Sequence, residues 1–159
     1  MYQKLASQNY QNVQVATIDR GKLLLMMYDG AIKFLGHAKD GLEAKDLQKF
    51  ARFLSKSQAI IAELMNTLDF EKGGEIARDL DRLYDFMLFY LTEANIQKDV
   101  KKIVRVIGLV ETIAGAYREI IEGKSGNLEE AVAKTQKALA AAQSANSPVQ
   151  GYRPLRVSL

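Results

Sequence analysis

Cysteine and tryptophan are absent from this 159-residue chain. Without cysteine there is no disulfide framework, no thiolate zinc site and no cysteine nucleophile. Histidine occurs once, at His37, too few for a His-rich metal site. Proline occurs only at Pro148 and Pro154. A proline-free stretch of that length, with few β-branched alternations, argues for helices. Long hydrophobic runs are missing too. The longest, Leu23 to Tyr28, falls far short of the roughly 20 residues a membrane span needs. The polar start, Met1 to Asn12, lacks the apolar segment of a secretory signal. A cytoplasmic protein without membrane insertion is therefore expected. The net charge of +3 is too mild to imply a nucleic-acid partner. What is present is 48% apolar and 26% charged residues, enough for one soluble domain with a real core.

The apolar residues recur at helical spacing. Residues 1–18 read as an irregular arm, rich in Gln and Asn yet carrying Tyr2, Leu5, Tyr10 and Val13. A first helix is expected from Arg20 to about Lys39, with Asp19 as N-cap and Asp40-Gly41 as its end. A second is expected from Asp46 to Leu68. Its seam, Leu47, Phe50, Leu54, Ser57, Ile61, Leu64 and Leu68, is interrupted only by Ser57. Gly73-Gly74 is expected to break the chain before a third helix over Glu75 to Asn95. The fourth is expected over Val100 to Ile121, capped by Asp99. A thinner, Ala-rich fifth helix follows, with Asn127 and Glu130 forming a capping box. Residues 143–159 read as a tail. Long helices on short connections predict an all-α, antiparallel up-and-down four-helix bundle, with an N-terminal arm and an additional C-terminal helix and tail. The expected division is 1–126 for the bundle with its arm and 127–159 for the helix and tail.

Catalytic chemistry finds little footing. Gly123-Lys124-Ser125 ends like a phosphate loop, but Arg118 stands where the motif's first glycine belongs, and a helix precedes it instead of a strand. Asp79 and Asp81 lie two apart and diverge on a helix. His37 has no carboxylate at partner spacing and reads as a surface or boundary histidine. No Gly-x-Ser-x-Gly elbow occurs. The expectation is a protein that is not an enzyme and needs no metal or cofactor. Lys98, Lys101, Lys102 and Arg105 read as a solvated face of the fourth helix ahead of a nucleic-acid patch.

An excess of apolar residues remains. The third helix carries one stripe of Ile76, Leu80, Leu83, Met87 and Tyr90, and a second of Ala77, Tyr84, Leu88 and Leu91. The fourth helix carries two as well, the second being Val106, Leu109, Ile113, Ala116 and Ile120. Two readings fit these double stripes: a wide, filled core, or a groove for an amphipathic partner segment. On the second, the candidate partner-binding residues are Tyr10 and Val13 in the arm and Ile76, Leu80, Leu83, Tyr84 and Met87 on the third helix.

Several runs resemble those of a known family. The run from Leu23 to Leu35 is similar to the first helix of the flagellar export chaperone FliS family. The run from Thr67 to Ala77, through Asp69-Phe70 and Gly73-Gly74, resembles that family's second signature. Leu83 to Met87, Leu91 to Asn95 and Asp99 continue it in register, and Tyr10-Gln11 with Val13 resembles its N-terminal strap. The resemblance spans roughly residues 2–121. It implies a cytoplasmic, non-enzymatic four-helix chaperone whose partner is the disordered C-terminal segment of flagellin, kept from polymerising early and fit for export, with components of the flagellar export apparatus as further partners. Asp19-Arg20 replaces the family's Ser-Pro start to the first helix, and residues 122–159 run past its usual end. The residues alone leave another reading open, a generic helical adaptor for some other amphipathic segment.

Overall fold

The computed structural model describes residues 20–145, with side chains through residue 141. Five helices occupy that span: α1 Arg20–Glu43, α2 Leu47–Asn66, α3 Phe70–Gln97, α4 Val100–Ile121 and α5 Leu128–Ala145. The first four form a ring. α1 packs on α2 and α4, α2 on α3, and α3 on α4. Connections of two or three residues make chain neighbours antiparallel. α5 lies outside the ring, against α4 and α3.

The seams fill the centre as their spacing demands. Tyr28, Leu35, Phe50, Leu54, Ile61, Leu80, Met87, Leu91, Ile103 and Ile113 are all sealed from solvent. Ser57, the polar interruption in α2, is buried without a stranded hydroxyl because its Oγ donates to the Leu54 carbonyl at 2.7 Å. Acidic and amide caps start the helices. Asp46 accepts from the Lys49 amide, Asp99 from Lys101 and Asn127 from Glu130. The expected Asp19 cap and the whole arm lie outside the described residues.

Three expectations need correction. Asp40-Gly41 does not end α1, which runs on to Glu43. Gly41 is buried instead, and a Cβ there would sit 2.7 Å from the Phe50 amide nitrogen. It is small so that α1 and α2 can approach. Gly73-Gly74 does break the helical path, but the third helix does not begin at Glu75: Asp69 accepts from the Glu71 and Lys72 amides at 3.0 Å, so a capped turn from Phe70 precedes the break. The break is a kink inside α3, with Gly74 at φ 51 and ψ −126, a backbone region open to glycine. Lastly, Lys102 is not on a solvated face. Its side chain is only 7% exposed and its Nζ donates to Glu93 at 2.9 Å. Arg105 donates to the Tyr90 hydroxyl at 3.1 Å. Long side chains on a helix flank can bury their stems and turn inward where a partner exists, and helical spacing does not reveal that partner.

Candidate partner-binding cleft

The same end of the bundle brings together the start of α1, the end of α2 and the start of α3. A cleft of about 580 Å³ stays open between them. Leu23, Leu24 and Met27 form the α1 wall, Leu64 and Leu68 the α2 wall, and Ile76, Ala77 and Leu80 the α3 wall. Tyr28, Tyr84 and, from α4, Tyr117 form the floor, and Leu128 of α5 stands at the rim. The charged lining residues are Arg20, Asp69 and Lys72, and Thr67 adds a hydroxyl.

The kink at Gly74 helps to keep the cleft open. It turns Phe70–Gly73 off the axis of α3, so the first turn flanks the mouth instead of filling it. On α1, three leucines and two methionines in succession place apolar groups all round the helix. Some of them must face outward: Leu23 is 55% exposed and Met26 67%. Below them Tyr28 and Tyr84 are almost wholly buried. Tyr28 and Tyr84 share a buried hydroxyl–hydroxyl hydrogen bond, and the Tyr117 ring stacks on Tyr28 with centroids 5.5 Å apart. Burial holds the Tyr28 and Tyr84 hydroxyls protonated well above the ordinary tyrosine range, and the neighbouring tyrosine hydroxyls add to this at Tyr28. Burial raises Tyr117 as well, against a smaller opposing effect of its bond to Tyr28.

Three of the residues singled out on the third helix meet here: Ile76, Leu80 and Tyr84 line the cleft. Leu83 and Met87 do not. They are sealed in the core, because steps of seven from Ile76 and Leu80 carry them away from the open end. Tyr10 and Val13 lie outside the described residues, though the arm that bears them joins α1 at Arg20, in the cleft mouth. Sequence reasoning missed the α1 and α2 walls and two of the three tyrosines. The available signal was the Leu23–Tyr28 run, too apolar for a helix with one buried face. His37 is half-buried against Phe53, ring centroids 4.8 Å apart. Among the described residues no group of three or more His, Asp or Glu side chains converges to hold a metal, and no helix is long and apolar enough to cross a membrane. What the cleft offers is apolar area and shape, which suit binding a flexible chain.

Comparison with known proteins agrees with that chemistry. The family pattern described as "Flagellar protein FliS" matches residues 1–124. The chain belongs to the FliS family. The Campylobacter jejuni "Flagellar secretion chaperone FliS" is 34% identical over 120 residues, 76% of this chain and 94% of the relative. The Bacillus subtilis protein of the same name is 33% identical over 115 residues, 72% and 85% of the two chains. The Salmonella typhimurium one is 42% identical over 100 residues, 62% and 74%. The FliS family is one of flagellar export chaperones, and the four-helix ring with every lining residue of the cleft except Leu128 falls within the matched span. α5 falls beyond it.

Proposed function

We propose that the cleft anchors the C-terminal segment of flagellin, and that the chain acts in the cytoplasm, without catalysis, to keep that segment from polymerising before export. The observation that carries this reading is an apolar cleft of about 580 Å³ left open at one end of the bundle, in a member of a secretion-chaperone family. A disordered client brings no core of its own. Ordering it costs about 1–2 kcal/mol per residue fixed, and each Leu- or Ile-sized anchor returns about 1.5–3 kcal/mol. Several anchors in one cleft are needed, and Leu23, Leu24, Met27, Leu68 and Ile76 supply the accessible receiving surface.

The arm belongs to the same reading. It enters at Arg20, so Tyr10 and Val13 are within reach of the cleft, covering it in the free protein or sharing contacts with the client. The basic residues near the start of α4 do not favour a nucleic acid, since Lys102 and Arg105 are engaged within the protein. Calorimetric titration with a flagellin C-terminal peptide tests the reading. Binding with a negative heat-capacity change is expected, and Ile76→Asp should weaken it at least tenfold while the melting temperature stays within a few degrees. Failure of the peptide to bind, or binding indifferent to Ile76→Asp and Tyr10→Ala alike, would overturn it.

A further inference from the structure

The fifth helix and the surface it covers are unequal. α5 turns four side chains inward, Ala131, Val132, Thr135 and Leu139, at spacings of one, three and four that make a single narrow stripe. Two of the four are no larger than threonine's neighbour alanine or threonine itself. The Thr135 hydroxyl is spent on its own helix, donating to the Ala131 carbonyl at 2.7 Å. Beneath lies a broader surface. Gly126 packs onto Ala116 and Ile120, which fixes the face of α4 turned towards α5. Helical steps from there lead through Ile113, Leu109 and Val106, all buried. A second cleft of about 240 Å³ opens at the first turns of α5, where Ile76 and Val132 are joined by the polar Glu75, Asp79, Glu129 and Gln136. Ile76 lines both clefts, and Leu128 of α5 stands at the rim of the larger one. Ile76 and Leu128 thus place the client cleft beside the groove that α5 fills.

We propose that α5 is an exchangeable occupant of a helix-binding groove along α3 and α4, and that an amphipathic helix of the client with a bulkier apolar stripe displaces it. The proposal rests on the client reading above. Its physical basis is a thin fit: beside Val132, Leu139 and the partly buried Leu128, the resident helix offers only the small Ala131 and Thr135, and a segment continuing from the adjacent cleft arrives already tethered. A client that must first displace a resident binds more weakly in proportion to the fraction of time the groove is free. α5 therefore lowers affinity for the client while shielding the groove when no client is present.

The test uses the full chain. Val132→Asp with Leu139→Asp should release α5 and tighten binding of a flagellin C-terminal peptide about ten- to hundredfold, the gain expected if the groove is free about 1–10% of the time. Should that variant fail to keep its helical circular dichroism, Leu139→Ala carries the same test with a smaller gain. Unchanged or weakened binding overturns the proposal. Because the chain has no cysteine, Ala140→Cys on the exposed side of α5 takes a single spin label. Client addition should mobilise the label, and a label that stays immobilised in a saturated complex overturns displacement. If flagellin peptide binds neither protein, the client reading has failed by itself. The groove is then tested with a peptide copying residues 127–145 added to the released variant, where binding supports an exchangeable helix site and its absence overturns one.

Discussion

The two ends of α3 use similar residues to opposite effect. Towards its C-terminus, Tyr90 accepts a hydrogen bond from Arg105, Glu93 holds the Lys102 ammonium, and Lys98 lies over the Phe50 ring at 5.0 Å. Leu91, on the same face as Tyr84 and two turns further on, is completely buried. Towards the N-terminus that face carries Ile76, Leu80 and Tyr84 into an open cleft. There the kink at Gly74 swings the first turn aside. One end is finished as a core and the other is left as a receptacle. The difference lies in what closes the rim, since both ends are equally apolar on the inside.

The sharpest way to break this comparison is to cut equivalent side chains at the two ends. Leu91→Ala removes a fully buried side chain from close packing and should cost about 2–5 kcal/mol of unfolding free energy. Affinity per folded molecule should be unchanged. Ile76→Ala removes a half-buried side chain that already faces open space, so it should cost less than about 1 kcal/mol and weaken client binding instead. Urea unfolding and calorimetry on both variants decide the matter. Equal losses of stability would mean that the cleft is closed in solution.

Next in size is the clamp. Glu93→Gln leaves the Lys102 ammonium, 7% exposed, beside a neutral amide, and should cost about 1–3 kcal/mol. Adding Lys102→Met should restore much of that loss, because no buried ammonium then remains without a counter-charge. If the double variant stays as unstable as the single one, the clamp acts through packing and not through charge.

Much of this architecture is legible in the residues. The seams of α2, α3 and α4 impose helical spacing because each helix must bury a stripe, and Asp99 and Asn127 announce their helices through capping chemistry. Ile76, Leu80 and Tyr84 were identifiable as surplus apolar positions. What escaped depends on neighbours distant in sequence. Gly41 reads as a stop when it is a contact with Phe50. Lys102 reads as surface until Glu93 supplies its partner. Leu83 and Met87 read like Ile76 and Leu80, since one stripe contains all four. Which part of that stripe is left uncovered is decided by where α1 and α2 end, and no local pattern records this. The walls contributed by Leu23, Leu64 and Tyr117 come from three helices and converge only in the fold.

The smallest of the expected effects tests whether the floor of the open end is dry. Unfolded tyrosines lose their protons near pH 10.0. In the folded chain Tyr28 and Tyr84 keep theirs, chiefly because burial penalises the phenolate. Above pH 10 the unfolded chain therefore binds fewer protons than the folded one, and stability falls as pH rises. Each of the two tyrosines should contribute a slope of about 1.4 kcal/mol per pH unit above pH 10. That contribution is fully intact below this value. Tyr28→Phe removes one titrating group, so it should flatten the alkaline slope by about one tyrosine's share, besides any constant loss from the missing bond to Tyr84. Denaturant unfolding at pH 9, 10.5 and 11 measures this directly. A slope equal in the two proteins would mean that water reaches the hydroxyls from the cleft, and the open end would then be wet to its floor.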